Sequence, residues 1–341
     1  MGARHMARSV LMRCTMKQHK LLLGGLLLSA AVSLLLTLLL WDRIAVAMAP
    51  NKQVATERSS AALAADTLFW STFHGARYDD IQRALDVLTA AYLDTPNDDI
   101  TAAHIGWMHM WRVGERARAP NASATITDDL VLAHKYFGEA LKLHPDEPRY
   151  LGFYAAALMS EGHIDADEAL VREGYFTMKR AVKLWPEFNL FTSGYVLSHA
   201  PVDSAQFAEA LEQQWQNMEA CVKTKLDRHG DQAGDFARFM SESNKEGPAR
   251  ACWNSSIAPH NSEGFFLNMG DMLVKKGEWK VAQKIYHDAT YLAAYPRWKY
   301  RDVLDARIVN AEQNVAEFNK TNPATPMMID SAFACMGCHE E

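Results

Sequence analysis

Apolar residues recur at helical spacing along most of this chain. From Ala62 to Asn319 they fall three and four positions apart, and no run of alternating β-branched residues is long enough to predict a strand. One segment departs from this amphipathic pattern. Leu21 to Trp41 (LLLGGLLLSAAVSLLLTLLLW) is apolar on every face and carries no charge. As a helix it spans roughly 30 Å, the thickness of a bilayer's hydrocarbon core. Arg4, Arg8, Arg13, Lys17 and Lys20 precede it without an acidic residue, and Asp42 and Arg43 follow. That asymmetry predicts residues 1–20 in the cytoplasm, a single-pass anchor over 21–41, and everything from residue 42 exported. The small residues Ala45 and Ala47 also suit signal cleavage, but the apolar run is longer than the roughly 7–15 residues of a signal-peptide core. Residues 42–61 are weakly patterned and read as a linker.

Within the helical region a motif repeats. In Phe265–Pro296 (FFLNMGDMLVKKGEWKVAQKIYHDATYLAAYP), Gly270, Ala282, Tyr286 and Ala289 alternate small, small, aromatic and small, and Lys276-Gly277 falls at a turn. This segment resembles a tetratricopeptide repeat (TPR), although Pro296 closes it two positions later than that family's pattern. Ala133, Phe137, Ala140 and Pro145 repeat the second half, as do Gly174, Met178, Ala181 and Pro186, with Met178 in the aromatic place. These two versions end 41 positions apart, against about 34 in that family. A weaker version, RALDVLTAAYLDTP, ends at Pro96. The resemblance implies an all-α array of helical hairpins over 62–320, closed by a more polar capping helix over Arg297–Asn319. Arg116–Thr127 and Asp227–Ser262 interrupt it.

Composition narrows the function classes. The 341 residues are 49% hydrophobic and 22% charged, with a formal charge of −6, so nothing points to nucleic acid. No glycine-rich phosphate loop, H-E-x-x-H or G-x-S-x-G occurs. Five cysteines are too few for a disulfide scaffold of this length. Cys221 and Cys252 flank part of the second interruption, and in an oxidising compartment they could form one disulfide; two unrelated thiols are the alternative.

The tail, residues 321–341, leaves the helical pattern at Pro323 and Pro326 and ends in Cys335-Met336-Gly337-Cys338-His339. Two thiols three positions apart on a helical turn can each form a thioether with a haem vinyl group, and the adjacent histidine is then delivered to the iron. Over these five residues the chain resembles c-type cytochromes. The resemblance implies one haem c, held covalently by Cys335 and Cys338 with His339 as axial ligand. Only Glu340 and Glu341 follow, so the wrap and distal ligand of a small cytochrome domain are absent from this tail. Met327, Met328 and Phe333 are expected to pack on the haem, and His109, inside Trp107-Met-His-Met-Trp111, is one candidate distal ligand. A thioredoxin-like motif would need a βαβ context, and a zinc site a fourth ligand.

Two functions compete. In one, the protein is a monohaem c-type cytochrome subunit on the periplasmic side of a bacterial inner membrane; its array docks on a membrane redox complex, and a flexible tail carries electrons. In the other it is a TPR-type scaffold or assembly factor whose C-x-x-C-H is structural, or a metal or thiol-redox site. Both favour a carrier or accessory subunit over a catalyst; an enzyme in which a five-coordinate haem binds a small molecule is a third reading, and it would need an enclosed distal pocket.

Overall fold

A computed structural model describes residues 52–119, 121, 123–230, 246–252 and 261–340, with scattered positions between 29 and 48. The chain divides into two units, Met1–Lys52 and Gln53–Glu341. The expected cytoplasmic segment and most of the expected anchor at 21–41 lie outside the described residues. Among the described residues no helix is long and apolar enough to cross a membrane.

The second unit is all-α among its described residues. Five helical hairpins follow one another: α1 (Ser60–His74) with α2 (Ile81–Asp94), α3 (Asp99–Gly114) with α4 (Asp128–Leu143), α5 (Pro148–Ile164) with α6 (Glu168–Leu184), α7 (Pro186–Leu197) with α8 (Ala205–Val222), and α9 (Ser262–Lys276) with α10 (Trp279–Asp288). Leading helices of neighbouring hairpins touch, α1 with α3, α3 with α5 and α5 with α7, and α11 (Arg301–Phe318) covers the last hairpin. This arrangement is compatible with a TPR-like array.

Local chemistry explains the ends of these helices. Asp98, Asp167, Ser204 and Asn261 each accept a hydrogen bond from a main-chain N–H of the first turn of α3, α6, α8 and α9. Gly277 ends α9 at φ +91°, a left-handed conformation that costs glycine nothing. The small-to-aromatic pairing is a literal steric fit: a Cβ at Gly270 would lie 2.1 Å from the Tyr286 ring. The same fit joins α3 to α4, where a Cβ at Gly106 would lie 2.9 Å from Phe137. Phe137, Tyr286, Ala133, Ala140, Ala282 and Ala289 are all fully buried.

Three expectations need correction. Residues 53–59, expected as part of a linker over 42–61, pack on the body: Ala55 N–H donates to Asn97 O (2.9 Å) and Arg58 pairs with Asp98 (3.1 Å). Pro296 does not close a long second helix. α10 ends at Asp288, and Pro296 sits at the start of a separate short turn, Tyr295–Arg297, where a missing N–H has no cost. Third, the tail is not a loose appendage: Met327, Met328, Ile329 and Met336 are buried, and residues 321–340 belong to the same unit as the hairpins. Burying apolar side chains of that size is worth roughly 1.5–3 kcal/mol each, which offsets the entropy lost on ordering the segment.

Candidate functional site

The tail is fastened first by its beginning. Asp271, on α9 and fully buried, accepts hydrogen bonds from Tyr286 OH (2.6 Å), Arg307 Nε (2.9 Å) and the Met328 N–H (2.8 Å). Arg307 also donates to Pro326 O (2.6 Å) and lays its guanidinium over the Phe318 ring. Burial pushes the Asp271 carboxyl up from its ordinary value, and Arg307 pulls against that shift.

Beyond Asp330 the chain turns back on itself. Gly337 N–H donates to Phe333 O (2.7 Å), and the Cys338 and His339 N–H groups both donate to Cys335 O (3.1 Å), forming the short helix α12 (Met336–His339). This places Cys335, Cys338 and His339 on one helical turn. The main chain around them is held from five separate places in the body. Glu115 Oε1 accepts from Cys335 N–H (2.9 Å) and Met336 N–H (2.6 Å). Tyr195 OH donates to Ala334 O (3.1 Å), Trp298 Nε1 to Gly337 O (3.2 Å) and Asn261 N–H to Cys338 O (2.6 Å). The His74 imidazole bonds through Nδ1 to His339 O (2.6 Å). A carbonyl only accepts, so Nδ1 carries the proton there. The His339 ring packs 4.5 Å from Phe73 and 6.3 Å from His74, centre to centre.

Both sulfurs lie against main chain. A Cβ at Gly264 would meet Cys338 Sγ at 2.6 Å and Gly337 O at 2.4 Å, and one at Gly114 would meet Cys335 Sγ at 3.0 Å. Glycine is what lets the start of α9 and the end of α3 approach the motif this closely. Cys335 and Cys338 are separate thiols. Burial, then the neighbouring Glu115 charge, pushes the Cys335 thiol well up; burial and Glu263 push Cys338 up to about 12. Among the described residues no three His, Cys, Asp or Glu side chains group as ligands for a metal ion.

The chain matches no protein-family model, and no curated protein matches it significantly. The chemistry of Cys335, Cys338 and His339 fits a covalently attached haem: two thiols and an imidazole on one turn, with main-chain groups already satisfied by the body. Aromatic and apolar side chains surround them, with Phe333 stacked on Tyr300 at 4.5 Å and Trp298 next to Tyr300 at 5.8 Å. Met327, Met328 and Phe333 pack here as well: Met327 and Met328 are almost fully buried, and a Cβ at Gly337 would meet the Met328 methyl at 2.5 Å.

His109 does not join this site. It is buried in α3, bonded to Asp129 (2.6 Å), and lines a cavity of about 860 Å³ with Arg112, Gln82 and Tyr136. The histidine that the fold brings against His339 is His74. Cys221, in the last turn of α8, and Cys252, in the turn Pro248–Cys252, are joined, with Cα atoms 5.7 Å apart. Trp185 donates to Pro248 O (2.9 Å) and takes the Arg250 guanidinium on its face, which seats that turn against α6 and α7.

Proposed function

We propose that the protein is a membrane-anchored, monohaem c-type cytochrome subunit, exported on the far side of a bacterial inner membrane, whose TPR-like array docks on a larger redox complex. One observation carries this reading: Cys335, Cys338 and His339, the three residue types that haem attachment needs, share a helical turn that five separate parts of the body hold by its main chain. Cys335 and Cys338 would hold the haem by thioethers, and His339 would bind its iron. When bound, the haem supplies a one-electron iron couple. The protein's own share is to fix the histidine, exclude water with Phe73, Trp298, Tyr300 and Phe333, and present the site to a partner.

The uncharged segment 21–41 with its basic amino-terminal flank supports the anchor, and the exported side is where thioether haem forms. Extended helical arrays bind protein partners, and an anchor keeps the site concentrated near membrane complexes.

The test is direct. Full-length protein is co-expressed with haem-maturation machinery and purified from the membrane. Thioether haem is expected in its intact mass and absorbance, and is expected to vanish in Cys335→Ser/Cys338→Ser. A wild-type mass equal to the polypeptide alone would sink the proposal. One observation favours a second reading, a scaffold or assembly factor with a structural tail: the tail is packed as part of the core. Under that reading the double serine variant, with His339→Ala added, still binds its partner and still supports complex assembly.

A further inference from the structure

Glu115 follows Gly114 at the carboxyl end of α3, and none of its side chain reaches solvent. A carboxylate in that position is costly unless every lone pair is used. Its partners are specific. Oε1 takes the two N–H groups at the start of α12, 220 and 221 positions away in the chain. No carbonyl within so short a helix can reach those N–H groups. Oε2 takes Arg118 Nε at 2.5 Å, and the Arg118 side chain is 27% exposed. The negative end of this ion pair therefore faces the motif, and the positive end faces outward. The charge is felt at the first sulfur, where burial and then Glu115 raise the Cys335 thiol.

We propose that Glu115 is the positioning residue of the haem-bearing turn, and that its charge lowers the reduction potential of the bound haem. The potential half of this rests on the haem reading above. The positioning half does not. A negative charge at low dielectric favours the more positive, ferric iron, so the chain would tune the couple through the same carboxylate that fixes His339's turn. Nothing local marks Glu115 for this role: it is one acidic residue among many, placed by the end of α3.

Three variants of the full-length protein separate the effects. Glu115→Gln keeps a carbonyl oxygen for the two N–H groups but removes the charge and leaves Arg118 unpaired. The expected result is a loaded protein with a raised midpoint potential by spectroscopic titration. Arg118→Gln leaves the carboxylate unneutralised and is expected to lower the potential. Opposite signs from the two members of one ion pair are not produced by a general loosening of the fold. Glu115→Ala removes both hydrogen bonds; in protein made without haem, iodoacetamide is expected to alkylate Cys338 at least about tenfold faster than in wild type, the scale of losing one charge-assisted bond.

An unchanged potential in loaded Glu115→Gln overturns the tuning role, and wild-type alkylation rates in Glu115→Ala overturn the positioning role. Wild-type protein without thioether haem overturns the haem reading and the tuning role with it, and the alkylation result then still decides the positioning role.

Discussion

Two buried carboxylates hold the two ends of the tail, and they do it differently. Asp271 is enclosed by its own hairpin partner Tyr286, by Arg307 of α11 and by the tail's Met328 N–H, and both ions of its pair are almost fully buried. Glu115 is as deeply buried, but its counter-ion Arg118 is partly in water, and its other partners are the main chain of the motif itself. The first arrangement is a closed piece of core. The second borders the residues that would carry chemistry. Stability is concentrated where the tail begins, and adjustable electrostatics where it ends.

The largest test of this contrast is Asp271→Ala. It leaves the Arg307 guanidinium buried without its counter-charge, and a loss of about 3–5 kcal/mol is expected in the unfolding free energy from urea titration. A loss below about 1 kcal/mol would erase the difference between the two anchors. Replacing Cys221 and Cys252 by serine serves as a control. The bridge spans a sequence separation of 31, so opening it is expected to cost roughly 3–4 kcal/mol by loop entropy. That loss should appear in global unfolding, without preferential exposure of Cys338 in the native state.

A smaller and more local effect is expected from Gly264→Ala. The new methyl would press on Gly337 O and Cys338 Sγ, at about 1–3 kcal/mol. The strain should be relieved by lifting the motif, so in protein made without haem Cys338 alkylation should accelerate more than global stability falls; equal changes in both would place the tail within one cooperative unit. The smallest effect concerns Glu263, buried in the first turn of α9, whose carboxyl burial pushes above its ordinary value. Below that ordinary value both folded and unfolded chains are protonated. As pH rises the unfolded chain ionises first, so stability falls between the ordinary value and the raised one. Glu263→Gln should remove that slope and leave the protein more stable at neutral pH. A midpoint that keeps the wild-type pH dependence would count against it.

The helical hairpins were legible because their signals are local. The spacing of Gly270, Ala282, Tyr286 and Ala289 marks a small-to-aromatic contact between adjacent helices, and Gly277 marks the turn between them. The motif Cys335-x-x-Cys338-His339 was legible for the same reason, since its chemistry needs neighbours on one turn. The pairing that encloses Gly106 with Phe137 obeys the same rule but lacked the surrounding pattern. The flexible tail was the wrong expectation, because proline-broken sequence says where a helix stops and not what the following segment packs against.

By itself, then, the sequence determined an all-α chain of hairpins, a candidate haem-attachment turn and an uncharged amino-terminal segment of membrane-spanning length. Tertiary structure alone decided that the tail is docked, that Glu115, Asp271 and His74 meet it, and that Gly114 and Gly264 make room for its sulfurs. The physical reason is distance along the chain. Periodicity, caps and turn residues act within one or two helical turns and leave a readable trace. A carboxylate that bonds an N–H group 220 positions away leaves none until the fold brings the two together.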